Sequence, residues 1–260
     1  MRETVQVTEI GLGIAKKACM TRGFSRNLMV CSVAALLAAP AMADEPSSTS
    51  HVILQRFLAL EDPTPTQFRS LRHLEASNDK FEKSAWMDVW TEGDASGFRF
   101  VVVGEGGSEY IRTKVFRATL EMEKKMWASG EPDKSTVTSD NYTFGARSTQ
   151  PDGLVSLEVK PRRKDLLLVD GSIFLNPDDG ELVRMEGRLS KAPSFWTRRV
   201  EIVRWYQRIA GFRMPTALES VANVMIAGVS TFKMTYEYES INGECVGHPQ
   251  PQKVARNSTP

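Results

Sequence analysis

Leu182-Val183-Arg184-Met185-Glu186-Gly187-Arg188-Leu189-Ser190-Lys191 alternates along its whole length. Val183, Met185, Gly187 and Leu189 point one way, and Arg184, Glu186, Arg188 and Ser190 point the other. A period of two with one apolar side is the pattern of a strand half buried in a sheet. The pattern returns where Phe232, Met234, Tyr236 and Tyr238 oppose Thr231, Lys233, Thr235 and Glu237. Residues 153–160, 166–175, 198–209 and 212–222 also read as strands. Asn176-Pro177-Asp178-Asp179-Gly180 and Ala210-Gly211 supply turn residues between them. Strands joined by such short turns pair antiparallel.

Upstream the rhythm is mixed. Val52, Leu54, Phe57 and Leu58 suit a helix over residues 51–60, which Pro63 and Pro65 stop. Thr66 is placed to cap a second short helix with Phe68, Leu71 and Leu74 on one side. Trp86, Val89 and Trp90 mark a strand over 83–92, and residues 98–103 mark another, with a turn-rich stretch between them. Ser108 is positioned as an N-cap for a helix whose inner side carries Ile111, Val115, Ala118, Met122 and Met126, ended by Gly130 and Pro132. About eight strands, with helices only in the first half, make this an α+β chain rather than α/β.

The first residues read as an export signal. Arg22 and Arg26 precede an uncharged apolar run over residues 28–39, followed by Pro40 and the small-x-small triplet Ala41-Met42-Ala43. The run is too short to span a bilayer, which needs about 20 residues. Cleavage near Ala43 and a periplasmic location are expected, with Met20 a candidate start. Cys31 opens the apolar run instead of following it, which disfavours a lipid anchor. Residues 44–50 then read as a polar linker, 51–243 as the domain, and 244–260 as a disordered Pro/Gln/Ser-rich tail.

Residues 1–43 hold five Lys/Arg and two Asp/Glu, so the remainder is close to neutral and has no field for steering nucleic acid. Of three cysteines only Cys245 lies beyond the signal, so no intramolecular disulfide is expected.

Catalytic signatures are scarce. His51, His73 and His248 stand apart, with no HExxH, no Cys/His metal spacing and no GxSxG elbow. Gly104-Glu105-Gly106-Gly107-Ser108 resembles a phosphate cradle, but it lacks a lysine, and Glu105 and Glu109 would repel an anion. A tight turn feeding the helix is the better reading. Asp178-Asp179-Gly180 fits a hairpin turn better than an acid or metal site. Lys160, Arg162, Arg163 and Lys164, with Arg198 and Arg199, would suit a phospholipid headgroup or acidic partner; a solvated hairpin connection is the plainer reading. No catalytic residue, metal or cofactor is expected.

The remaining signal is aromatic and methionine density. Phe195, Trp196, Trp205, Phe212, Met214, Met225, Phe232, Met234 and Tyr236, with Tyr206 beside Trp205, fall on consecutive strands and their turns. Ordinary core accounts for many such residues. A curved sheet with few helices leaves part of its concave face for an apolar ligand, and these residues are the candidate lining.

Three stretches resemble a known group. They are residues 161–171 (Pro161 to Gly171), 186–196 (Glu186 to Trp196) and 236–243 (Tyr236 to Gly243). They look like a group of secreted, largely uncharacterised bacterial proteins, similar in layout to the outer-membrane lipoprotein carrier superfamily. The resemblance spans roughly residues 51–243. It implies an open antiparallel half-barrel with helices over its concave face and a cavity for acyl chains; none of the carriers' functional residues can be carried over. The expected function is therefore non-enzymatic binding of a lipid, an acylated protein or another apolar ligand. The alternatives are an envelope protein-interaction or stress-sensor module, and a hydrolase with an unfamiliar site. The partners expected are acyl chains or an envelope protein, without nucleic acid and with at most peripheral membrane contact.

Overall fold

Eleven strands occupy most of the described chain, residues 47–60, 62–129, 135–192, 197–225 and 227–251 of the computed structural model. In chain order the elements are α1 (Ser47–Ala59), β1 (Phe68–Asn78), β2 (Lys83–Asp94), β3 (Gly97–Gly107), α2 (Glu109–Ile111), a π-helical turn (Arg112–Arg117) and α3 (Ala118–Ala128). Then come β4 (Tyr142–Thr149), β5 (Val155–Pro161), β6 (Val169–Leu175), β7 (Leu182–Leu189), β8 (Thr197–Ile209), β9 (Phe212–Val224), β10 (Gly228–Ile241) and β11 (Glu244–Cys245). The signal segment and its cleavage point, Gly130, Pro132 and residues 252–260 lie outside the described residues.

All strands join one antiparallel sheet in the order β3-β2-β1-β10-β9-β8-β7-β6-β5-β4, with β11 added to β10. The sheet does not close, and the fold is an α+β open half-barrel. The meander expected from the turn spacing runs from β4 to β10. The joint between β1 and β10 is long-range, and no local pattern announces it.

Residues 68–78 form β1, not the helix that Thr66 and the spacing of Phe68, Leu71 and Leu74 suggested. Leu74 pairs with Met87 and Met234, while Leu71 pairs with Trp90 across the same ladder, and both leucines are buried. A strand covered on both faces loses its two-residue alternation and mimics helical spacing. β4 shows no readable alternation, because Gly145 and a bulge between Phe144 and Arg147 break its pattern.

Met185, Arg204, Leu218, Met234, Leu74 and Met87 are successive cross-strand partners from β7 to β2. They therefore share one face of the sheet, the concave one on which the helices pack. α1 places Ile53 and Phe57 into an apolar cluster with Tyr142, Leu157, Ile173 and Met185. The second helical segment places Ile111, Phe116 and Leu120 into a separate cluster with Leu74, Met87, Val89 and Met234. Each fully buried Phe or Leu contributes about 1.5–3 kcal/mol.

The helix rhythm differs from the expected one. Phe116 and Leu120 are fully buried, whereas Ala118 and Met122 are exposed. The π turn inserts one residue into the helical repeat and rotates everything after it. Glu123 and Trp127, not Met122 and Met126, consequently face the sheet. Ser108 has extended N-cap geometry but makes no side-chain capping bond; its carbonyl accepts the Arg112 N–H at 3.1 Å.

Candidate binding face

Arg72 on β1 lies beneath α3, its side chain only 3 % exposed. Its guanidinium donates two bonds to Glu123, at 2.5 and 2.9 Å. Tyr236, Phe98 and Phe68 surround it, with ring centroids at 4.8, 5.4 and 6.0 Å. Burial works against the charge, and Glu123 overrides it, holding the guanidinium above its usual range. Burial pushes the Tyr236 phenol up to about 12, against the pull of Arg72, and pushes Tyr238 well above its ordinary value. Tyr238 donates its hydroxyl to the Pro215 carbonyl at 2.9 Å.

Arg204 on β8 lies further across the same face. It pairs with Met185 and Leu218 across the ladders and donates to the Tyr206 hydroxyl at 3.4 Å. Tyr206 lies close enough to hold the guanidinium above its ordinary value despite burial. Tyr142 ends the strip; its hydroxyl accepts the Val169 N–H at 3.1 Å, and burial raises its phenol. The polar and aromatic strip Arg72, Tyr236, Arg204, Tyr206 and Tyr142 thus crosses the concave face. Tyr236 and Phe232 pack against the α3-side cluster, and Tyr206 and Leu218 pack against the α1-side cluster. These four are half buried, so the seam between the two helical covers is a partly open part of that face.

A second ionic group ties the start of the domain to the sheet. Arg213 binds Asp62 at 2.7 Å and sits 5.2 Å from the Phe57 ring. Glu181 lies 3.7 Å from Arg213 and accepts a short bond from Arg208. Burial raises the Asp62 carboxyl above its ordinary value, outweighing Arg213 and Arg208.

The expected lining residues separate into groups. Phe232, Met234 and Tyr236 stand together on β10, with Phe232 6.1 Å from Phe116. Met214 belongs to the same cluster and Phe212 packs against it. Trp205 pairs with Arg184 and Ala217, which puts it on the opposite face from Arg204 and Leu218. Met225 is 47 % exposed at the β9–β10 turn. Phe195 and Trp196 lie outside the described residues. Tyr206, part of the aromatic run of β8, packs on this face, whereas Arg204 and Glu123 carry no such sequence signal. The alternation of β8 puts Arg204 on the side of Ile202, but an arginine between Val203 and Trp205 reads as solvent-facing.

Two clefts open on the sheet. One of about 270 Å³ is rimmed by Arg69, Glu92, Arg99 and Glu239, which ion-pair with one another. The other, about 310 Å³, opens beside Tyr236 and is bordered by Ile209, Thr216 and Val246. It forms where the β9–β10 ladder ends at Ala217 and Thr235.

Other sequence candidates have structural employment. β3 continues through Gly107 instead of turning at Gly104. A Cβ on Gly106 would stand 2.5 Å from the Trp86 indole nitrogen, so the glycine run makes room for that ring. Trp86 stacks on His73, a strand residue instead of a helical one, and His73 Nδ1 lies 2.6 Å from Asp88. Asp178-Asp179-Gly180 forms the β6–β7 turn: Gly180 has φ +77° and its N–H reaches the Asn176 carbonyl at 2.9 Å. Arg56 of α1 clasps this turn through the Pro177 and Asp178 carbonyls. In the basic run, Arg162 bonds the Ser139 and Tyr142 carbonyls, Arg163 bonds Asn141, and Lys160 pairs with Glu158; Lys164 is exposed. Among the described residues no group of three or more His, Cys, Asp or Glu is placed to hold a metal ion.

No protein-family model matches the chain, and no curated protein matches it. Among solved structures it is similar to a DUF1329 family protein from Desulfovibrio piger. That likeness has 10 % identity and a TM-score of 0.31, over 73 % of this chain and 88 % of the other.

Proposed function

We propose that this chain is an exported, periplasmic protein that binds a lipid, an acylated protein or another apolar ligand without transforming it. The observation that carries the reading is the seam of half-buried Phe232, Tyr236, Leu218 and Tyr206, set between two helix-covered clusters on an open sheet. Half-buried aromatic and aliphatic side chains on a concave face gain about 25 cal/mol per Å² when a ligand covers them. The charge order of residues 22–43 supports export. The test is to express the full sequence in a bacterium, isolate the periplasmic fraction, and record a native mass spectrum beside a lipid extract of the same sample. A reproducible added mass matching an extracted lipid supports the reading. A clean apo mass with an empty extract, and no uptake of added fatty-acid probes, refutes it.

A second reading is favoured by the outer edge of the sheet. Val101 and Val103 on β3 are 64 % and 45 % exposed, and β3 ends the strand order. An unpaired apolar edge is a template for an added strand from a partner. Crosslinking in cells that captures one stoichiometric envelope protein, lost in Val101→Lys/Val103→Lys, supports this reading; unchanged capture rejects it.

A further inference from the structure

Among the described residues, the arginines around the concave face are neutralised, with one exception. Arg72 holds Glu123, Arg213 holds Asp62, and Arg208 holds Glu181. Arg204 has no carboxylate within ion-pair distance among the described residues; its hydrogen bond goes to the Tyr206 hydroxyl. Its ladder partners on both sides are apolar, Met185 and Leu218. A charge with apolar neighbours and no counter-ion is costly to keep, and a fold that keeps one leaves an anion to be supplied.

We propose that Arg204 is the headgroup site of the concave face and that its ligand is a single-chain carboxylate, a fatty acid. This deepens the apolar-binding reading above and rests on it. A guanidinium matches a carboxylate with two parallel bonds. One uncompensated positive charge fits a monoanion; a phosphate monoester dianion would retain an unmet charge, because the other arginine of the strip, Arg72, is already bound to Glu123. Tyr206 and Tyr236 both lie close enough to Arg204 to act on its charge. The Tyr236 phenol finds no hydrogen-bond partner among the described residues and so remains available to a second carboxylate oxygen. The acyl chain then lies along the seam over Leu218 and Phe232.

The experiment compares cis-parinaric acid with its methyl ester, which share a chain and differ in head charge, by fluorescence titration of the full chain. Wild type is expected to bind the acid about tenfold tighter than the ester, the scale of one charge-assisted pair. Arg204→Gln should weaken the acid by about the same factor and leave the ester unchanged, while Arg204→Lys retains part of the preference. Near-UV circular dichroism of each variant reports its fold. Equal loss of both probes in a folded Arg204→Gln, or loss of neither, overturns the assignment while apolar binding stands. Failure of wild type to bind either probe overturns the binding reading itself.

Discussion

Glu123→Gln is the most informative single substitution for the architecture of the concave face. The Arg72 side chain is 3 % exposed and Glu123 is its carboxylate partner, with three aromatic rings filling the remaining directions. Glutamine keeps the shape and loses the charge, leaving a guanidinium stranded in apolar surroundings. Removing one partner of a buried pair costs about 3–5 kcal/mol. Because Glu123 is itself 29 % exposed, water can approach, and the low end, about 3 kcal/mol, is expected. For a domain of this size that corresponds to a fall of about 6–12 °C in melting temperature. Urea unfolding followed by tryptophan fluorescence measures it directly, since Trp127 lies one turn beyond Glu123 on α3. The paired change Arg72→Met/Glu123→Leu should recover most of the loss, because an apolar pair removes both charges together. A loss below about 1 kcal/mol in Glu123→Gln, or a double variant no better than the single, would refute the claim that this pair organises the face.

Other consequences are equally open to measurement. Gly106→Val places a branched side chain where even a Cβ approaches the Trp86 ring at 2.5 Å; a loss of about 1–3 kcal/mol and an altered indole emission are expected, and unchanged stability would show that the ring is free to move. Tyr142→Phe strips the Val169 N–H of its acceptor inside the α1-side cluster, costing about 1–3 kcal/mol in thermal unfolding. Tyr236 is favoured in its protonated form by the fold. Its contribution to stability is therefore complete below pH 10 and is lost as pH rises through about 12. Denaturant midpoints measured across that window should fall for wild type and flatten in Tyr236→Phe; parallel curves would count against the burial of that phenol.

The sheet was legible because its strands announce themselves. Val183 to Ser190 alternates in residue type, Gly228 to Met234 alternates between a more and a less covered side, and the turns at Asn176–Gly180 and Ala210-Gly211 carry residues that permit the required bends. β1 was illegible for the opposite reason: Leu71 and Leu74 are buried on opposite faces, so the period vanished. The face itself was half legible. Phe232, Met234 and Tyr236 followed from alternation alone, but Trp205 fell on the far side because cross-strand register, not composition, decides the face. Glu123 was hidden by the π turn, which shifts α3 by one residue relative to a regular repeat and leaves no local signature. Arg204 was hidden because an arginine in an alternating strand is read as wet until the strands on either side are known.

The seating of β1 against β10 has a consequence for how the molecule reaches its native state. Leu74 meets Met234 across about 160 intervening positions, so the central ladder is the last to become available as the chain is made. β1 to β3 with α2 and α3 form a local unit that can collapse early, and β4 to β10 can zip up hairpin by hairpin. Joining the two requires a long loop closure, and pairings this distant in sequence slow folding far more than they weaken the folded state. Until it happens, the free edge of β1 presents unpaired backbone beside Leu74 and Ala76. That edge is the place where a holding chaperone, or an unwanted neighbour, would attach to the newborn chain.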